Sequence, residues 1–97
     1  MNSCNLEKIT HQAEIFKALS HPARLCIVRR LLEGNCNAGD FESCVDLSQS
    51  GVSAHLAKLR AAGIIHGERN GTEICYSLCS DSVKSLIKLL IELEQLP

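Results

Sequence analysis

Thiols, imidazoles and cationic side chains are the groups in this sequence that can do chemistry, and their spacing decides which chemistry. Six cysteines stand at positions 4, 26, 36, 44, 75 and 79. No two of them form a CxxC, so neither a zinc ribbon nor a dithiol oxidoreductase is indicated. The sequence also lacks HExxH, a Gly-rich phosphate loop and a nucleophile elbow, and no enzyme is expected. Cys36 follows Gly34-Asn35 and precedes an expected helix start, where the helix dipole lowers a thiol pKa and raises its reactivity. Cys44 falls inside that expected helix. At ~1.5 Å per helical residue the two Cα atoms stand ~10–12 Å apart, whereas a disulfide needs less than ~7 Å. A direct bridge would require partial unwinding. Cys26 and Cys75 are assigned to packing, because a buried cysteine behaves as a small hydrophobe; Cys79 stays open.

A second set of groups is suited to a polyanion. In the stretch 47–63, LSQSGVSAHLAKLRAAG, the residues Val52, Leu56 and Leu59 recur at helical spacing and make one narrow apolar stripe. Ser50, Gly51, Ala54, Lys58 and Ala61 fall on the opposite side, with Ser53, His55 and Arg60 on the flanks. Ser48 can cap this helix and Gly63 stands where a left-handed stop belongs. A helix with a thin seam and small polar residues outside can lie in a major groove with its backbone close in. An ordinary amphipathic surface helix has the same stripe, so the flanking elements decide.

Those elements follow from periodicity and punctuation. Leu6, Ile9, Ala13, Phe16 and Leu19 define a first helix, ended by Ser20-His21-Pro22. Proline suits the first turn of a second helix, which runs to about Glu33 and stops at Gly34. Leu25, Val28 and Leu32 point inward there, Cys26 and Ile27 widen the apolar side, and Arg24, Arg29 and Arg30 are left to solvent. A short third helix is expected over about Ala38 to Val45, presenting Phe41, Cys44 and Val45. Beyond Gly63, Ile64, Ile65 and His66 start a strand, and Thr72, Ile74, Tyr76 and Leu78 alternate with polar residues around Asn70-Gly71, a strong hairpin signal. Val83, Leu86, Ile87, Leu90, Leu93 and Leu96 define a last helix, which Leu89 and Ile91 make apolar on more than one face. A hairpin directly after a recognition helix is a wing. The expected fold is therefore mainly α with a small β-hairpin, a winged helix-turn-helix in the order α-α-α-α-β-β-α, filling residues 1–97 as one domain.

Composition bounds the reading. A chain of 97 residues sits near the size at which one core is barely sufficient, so a dimer is expected through Leu6, Ile9, Phe16, Val83, Leu86, Ile87, Leu90 and Leu93. The net charge of −1 gives no global pull on nucleic acid, and only the local field at a contact face can supply it. No apolar run is long enough for a membrane span, and MNSCNLEKIT has no signal-peptide core; a cytoplasmic location with reduced thiols is expected.

The runs FKALSHPARLCIVRRLLEG, LSQSGVSAHLAKLRAAGII and GERNGTEICYSL, in this order and spacing over about Phe16 to Leu78, resemble the ArsR/SmtB family of dimeric bacterial repressors. The resemblance implies binding of the homodimer to double-stranded operator DNA, with release when a metal, a metalloid or a thiol-reactive effector binds. It places Gln49, Ser50, Ser53, His55 and Lys58 toward DNA, with Arg60 beside them, and Arg69, Asn70 and Gly71 at the wing tip. Metalloid and cadmium sensors of the family often carry Cys-x-Cys at the start of the third helix, where this sequence has Asn37 and Gly39. Zinc-sensing members use Asp and His on the last helix, which here has Asp81 and no histidine. Cys36 and Cys44 remain the effector candidates; a soft ion such as arsenite or cadmium would draw a third thiolate, Cys4 of the other subunit. The alternatives are a redox or persulfide-type thiol switch without metal, a purely structural Cys44 with Cys36 incidental, and a winged helix used only for protein contact. Arg24, Arg29 and Arg30 can reach phosphates or simply form a solvated face.

Overall fold

The computed structural model describes residues 5–42 and 49–96, without the side chains of Cys36, Gln49 and Ser50. Helix α1 spans Leu6–Leu19 and starts where the Asn5 side chain accepts from the Lys8 amide. Helix α2 spans Pro22–Glu33, with proline in its first turn, where no amide hydrogen is missed. Its cap is unusual in type: the Nδ1 of His21 accepts from the Ala23 N–H at 3.0 Å, a duty that Ser, Thr, Asp or Asn normally performs.

The chain then departs from the expected third helix. Cys36–Asn37 form a two-residue strand, β1, followed by a 3-10 turn over Ala38–Phe41. Asn37 and Asp40 close a reciprocal capping box, each side chain accepting from the other's amide. That box fixes a tight turn, and together with the strand pairing it takes residues 36–41 out of α-helical geometry. The remainder of the expected helix, with Cys44 and Val45, lies outside the described residues, as do Cys4 and the proposed cap Ser48.

Helix α3 spans Gln49–Ala61. It ends in a Schellman motif: the Gly63 amide donates to Arg60 O at 3.0 Å and the Ile64 amide to Leu59 O at 3.1 Å. Gly63 sits at φ +74°, the left-handed value that this stop requires. Strands β2 (Ile65–Asn70) and β3 (Glu73–Leu78) pair antiparallel with Ile65 opposite Leu78 and Asn70 opposite Glu73. The two-residue loop is therefore Gly71-Thr72, one position later than a turn centred on Asn70-Gly71. Gly71 takes φ +69° at the first loop position, as the primed hairpin turns demand. β1 adds to the other edge of β3, with Cys36 opposite Tyr76, so the sheet has three strands in the order β1-β3-β2. Helix α4 (Asp81–Glu94) follows, capped by the Ser80 hydroxyl on the Val83 amide.

One core joins these pieces. Ile27 and Val28 of α2, Phe41 of the 3-10 turn, Val52, Leu56 and Leu59 of α3, Ile64, and Val83 and Ile87 of α4 are all below 2 % exposed. Ala23 and Leu31 are also buried on α2, while Leu25 and Leu32 are only partly so. Val83 and Ile87 therefore belong to the protomer's own interior and leave the expected dimer surface. On the outer side of α4, Leu89, Leu90 and Leu93 remain exposed. The fold is a winged helix-turn-helix whose thin α3 seam faces inward and whose polar side faces out. Among the described residues no helix is long and apolar enough to cross a membrane.

Candidate DNA-reading face

The seam of α3 fixes what the helix can show. With Val52, Leu56 and Leu59 held in the core, Ser53, Ala54, Ala57, Lys58, Arg60 and Ala61 are exposed. Gln49 and Ser50 form its first turn. No acidic residue occurs anywhere in Gln49–Ala61, and its last turn carries Lys58 and Arg60. A chain of net charge −1 thus presents one helix that is purely cationic and otherwise small. Such a surface can approach a phosphate-lined groove without steric or electrostatic penalty.

The wing stands beside it. Glu68, Arg69, Asn70, Gly71, Thr72 and Glu73 are all exposed, so the expected tip residues are available. Two hydrogen bonds join the root of the wing to the end of α3. The Cys79 amide donates to Ile64 O at 3.1 Å, and the Cys79 thiol donates to Gly63 O at 3.4 Å. Nothing in the spacing of Cys79 pointed to this position, where it ties the hairpin's exit to the helix stop.

His55 is not a free reader. It is half-buried, and its Nδ1 accepts from Arg24 Nε at 3.2 Å. Burial first, then the neighbouring His21 and Arg24, hold its imidazole below the ordinary histidine range. Arg24 is correspondingly half-buried between helices instead of lying on a solvated face. Arg29 also has an internal partner, Glu94 of α4, with contacts of 2.6 and 3.2 Å. Arg30 remains exposed. Sequence reasoning missed the Arg24–His55 contact because it spans 31 positions; a histidine on the edge of a thin seam was the available signal.

The cysteines separate. Cys75 is an exposed free thiol on β3, not a packed hydrophobe, and Cys79 is likewise exposed and free. Cys26, half-buried on α2, is disulfide-bonded. It is therefore a covalent link, beyond the packing role expected of it. Cys36 lies on the short strand β1, just before a single 3-10 turn in place of the expected α-helix, so little helix dipole is available to raise its reactivity. Among the described residues no three His, Cys, Asp or Glu side chains are grouped as a metal site.

Comparison with known proteins accords with this geometry. Residues 21–66 match the model of the arsR family of bacterial regulatory proteins. The chain is 36% identical over 91 residues to the transcriptional activator HlyU of Vibrio cholerae, covering 93% of this chain and 84% of that protein. A solved structure described as reduced HlyU superposes with a TM-score of 0.84 at 32% identity, over 93% of this chain and 95% of that one. The biofilm growth-associated repressor of Agrobacterium fabrum is 36% identical over 84 residues, covering 87% and 72% of the two chains. A homodimeric winged helix-turn-helix DNA-binding domain of Mycobacterium bovis shares the fold, with a TM-score of 0.81 and 24% identity over 97% and 90% of the two chains.

Proposed function

This chain belongs to the arsR family of bacterial regulatory proteins, and from that membership we propose that it is a dimeric repressor which grips operator DNA with α3 and the wing and releases it through chemistry at its cysteines. It is a transcriptional regulator and not an enzyme. The observation that carries the DNA half is the all-cationic, small-residue outer side of α3 beside an exposed hairpin. Repression is the sense borne by the Agrobacterium relative's name. The dimer is supported by the apolar side chains left exposed on α1 and α4, which a second copy would cover. A mobility shift on the DNA just upstream of its own coding region tests the reading. A retarded complex that survives excess unrelated DNA is expected. No complex at low salt would refute operator binding, and activation of a reporter would reverse the sense.

Cys26 favours a thiol switch as the effector mechanism. Two thiols pass two electrons to an oxidant such as a hydroperoxide, an S–S bond forms, the O–O bond breaks, and water and alcohol leave with the two protons; a dithiol reverses it. The Cys26 bridge sits on α2, which packs against α3, so making or breaking it bears on the reading helix. A coupling worth about 5–150-fold in operator affinity would suffice for control. A soft ion is the second reading, and it requires thiolates that a disulfide withholds. The test is operator binding after peroxide, dithiothreitol, arsenite or cadmium, for wild type, Cys26→Ser, Cys36→Ser and Cys44→Ser. A redox response lost in Cys26→Ser is expected. Release by arsenite or cadmium alone, lost in Cys36→Ser or Cys44→Ser, would replace the switch with an ion site.

A further inference from the structure

One guanidinium ties three helices together behind the reading face. Arg24 of α2 donates through Nε to His55 of α3 at 3.2 Å and through Nη1 to Ala18 O, near the end of α1, at 3.3 Å. Next to it His21 caps α2 through its own Nδ1, and the two imidazole centroids are 4.4 Å apart, tilted by 48°. Both rings thus serve as acceptors at Nδ1, which obliges each to carry its single proton on Nε2. A second proton on His55 would turn its acceptor into a donor facing the Arg24 N–H.

We propose that Arg24 and His55 form a positioning latch for the recognition helix, open when the imidazole is protonated, so that operator affinity falls on mild acidification. The proposal rests on the operator-binding reading above and adds to it a residue pair that sets the angle of α3 and a condition that releases it. The surroundings disfavour an imidazolium. A cleft of about 280 Å³ shares Arg24 with the junction and is otherwise lined by Glu14 and Lys17 of α1 and Lys58 of α3, but by neither imidazole. Asp40 in the 3-10 turn, and His66, Glu68 and Arg69 of β2, belong to the other elements packed on α3, and all four are exposed. Burial and the adjacent His21 and Arg24 push the His55 proton affinity down. A histidine whose pKa is lower folded than unfolded supports stability above the unfolded value of about 6.5, and that support is lost as pH falls through the folded value.

The direction of the pH effect separates a latch from a contact. A histidine that touches phosphate gains a charge on acidification and binds DNA more tightly. A latch histidine loosens its helix. The experiment is fluorescence anisotropy of a labelled operator duplex with the full chain at fixed ionic strength, from about pH 8 to about pH 5.5, bracketing the ordinary histidine value. The wild-type Kd is expected to rise by roughly 5–50-fold across that range, within the span of an ordinary coupling, while circular dichroism shows the helices intact. His55→Asn keeps an acceptor near the Nδ1 position without titrating, and His21→Ser keeps a cap. In the double variant the ratio of acid to alkaline Kd is expected to be close to one. A second measurement needs no DNA: a through-bond nitrogen–nitrogen coupling between Arg24 Nε and His55 Nδ1 in the free protein, present at alkaline pH and lost on acidification. Wild-type affinity that rises or stays level in acid overturns the latch, as does an unchanged acid loss in the double variant, or unfolding as its cause. Absence of the coupling overturns it as well. Failure of the wild type to bind any operator at alkaline pH is a different result: it removes the operator reading, and the coupling alone then decides whether the junction exists.

Discussion

Helices α3 and α4 have 13 and 14 residues and use their apolar side chains in opposite ways. On α3 every large aliphatic, Val52, Leu56 and Leu59, is buried at 0–1 % exposure, and nothing greasy is left over. On α4 Val83 and Ile87 fill the core, but Leu89, Leu90 and Leu93 stay 43–52 % exposed, and Leu96 beyond them reaches 64%. Helix α1 resembles α4, with Leu6 at 76% and Phe16 at 59%. A one-sided helix leaves its outer surface free for water or phosphate, whereas a two-sided one needs a second apolar surface. On the function proposed above, the difference suits the two sides of the molecule to two kinds of partner, nucleic acid and another protein chain.

Substitutions on the two helices should therefore fail differently. Leu59→Ala removes a fully buried side chain and is expected to cost about 2–5 kcal/mol of stability, read as a lower thermal midpoint at every protein concentration. Leu90→Lys should leave the protomer's core alone and place a charge where the second copy would pack. Sedimentation at micromolar concentration should then give a monomer, and the midpoint should lose the concentration dependence expected of the wild type. If Leu90→Lys remains dimeric, α4 is not the protein-facing side and the contrast collapses.

Within the DNA side, Ser53→Ala is expected to reduce specific affinity by about 1–3 kcal/mol if it reads a base edge. Arg69→Ala at the wing should weaken all sequences alike and lower the salt slope by about one unit. Competition binding at several salt concentrations distinguishes them. The smallest effect should come from Arg29→Ala. Its pair with Glu94 is bidentate, but the side chains are 45% and 54% exposed, and such pairs contribute about 0–1 kcal/mol. Chemical denaturation with and without added salt measures that margin.

The parts of this architecture that were legible in the sequence are those that local rules dictate. Pro22 opened α2, Gly63 ended α3, and alternation from Thr72 to Leu78 marked β3, each through a backbone preference that acts over a few residues. The winged helix-turn-helix order followed. What escaped was set by distant partners. The segment from Ala38 reads as an α-helix start, yet Ala38–Phe41 is a 3-10 turn, and Cys36 and Asn37 just before it are claimed as a strand by Tyr76 and Cys75. Val83 and Ile87 share a stripe with Leu90 and Leu93, and only the packing of the protomer shows which turns of that stripe are already covered. The site was legible in its helix and hairpin and obscure in its chemistry. His55 fell on a DNA-facing position by pattern and is engaged by Arg24 instead, and the disulfide of Cys26 has no signature in cysteine spacing.

The two residues of β1 have a mechanical consequence. A hairpin fastened only at its root is a cantilever that swings with every thermal kick. Here β3 is stitched along its far edge to the chain leaving α2, while the Cys79 amide pins its base to Ile64. Bracing on two sides turns the arm into a stiff panel, set at a fixed opening from α3 like the jaw of a caliper. The ordering entropy of the wing is then surrendered once, during folding, and not again at every encounter with a helix of DNA. A protein scanning a long polymer for one short site meets far more wrong segments than right ones, and a jaw already at gauge can test each without first assembling itself.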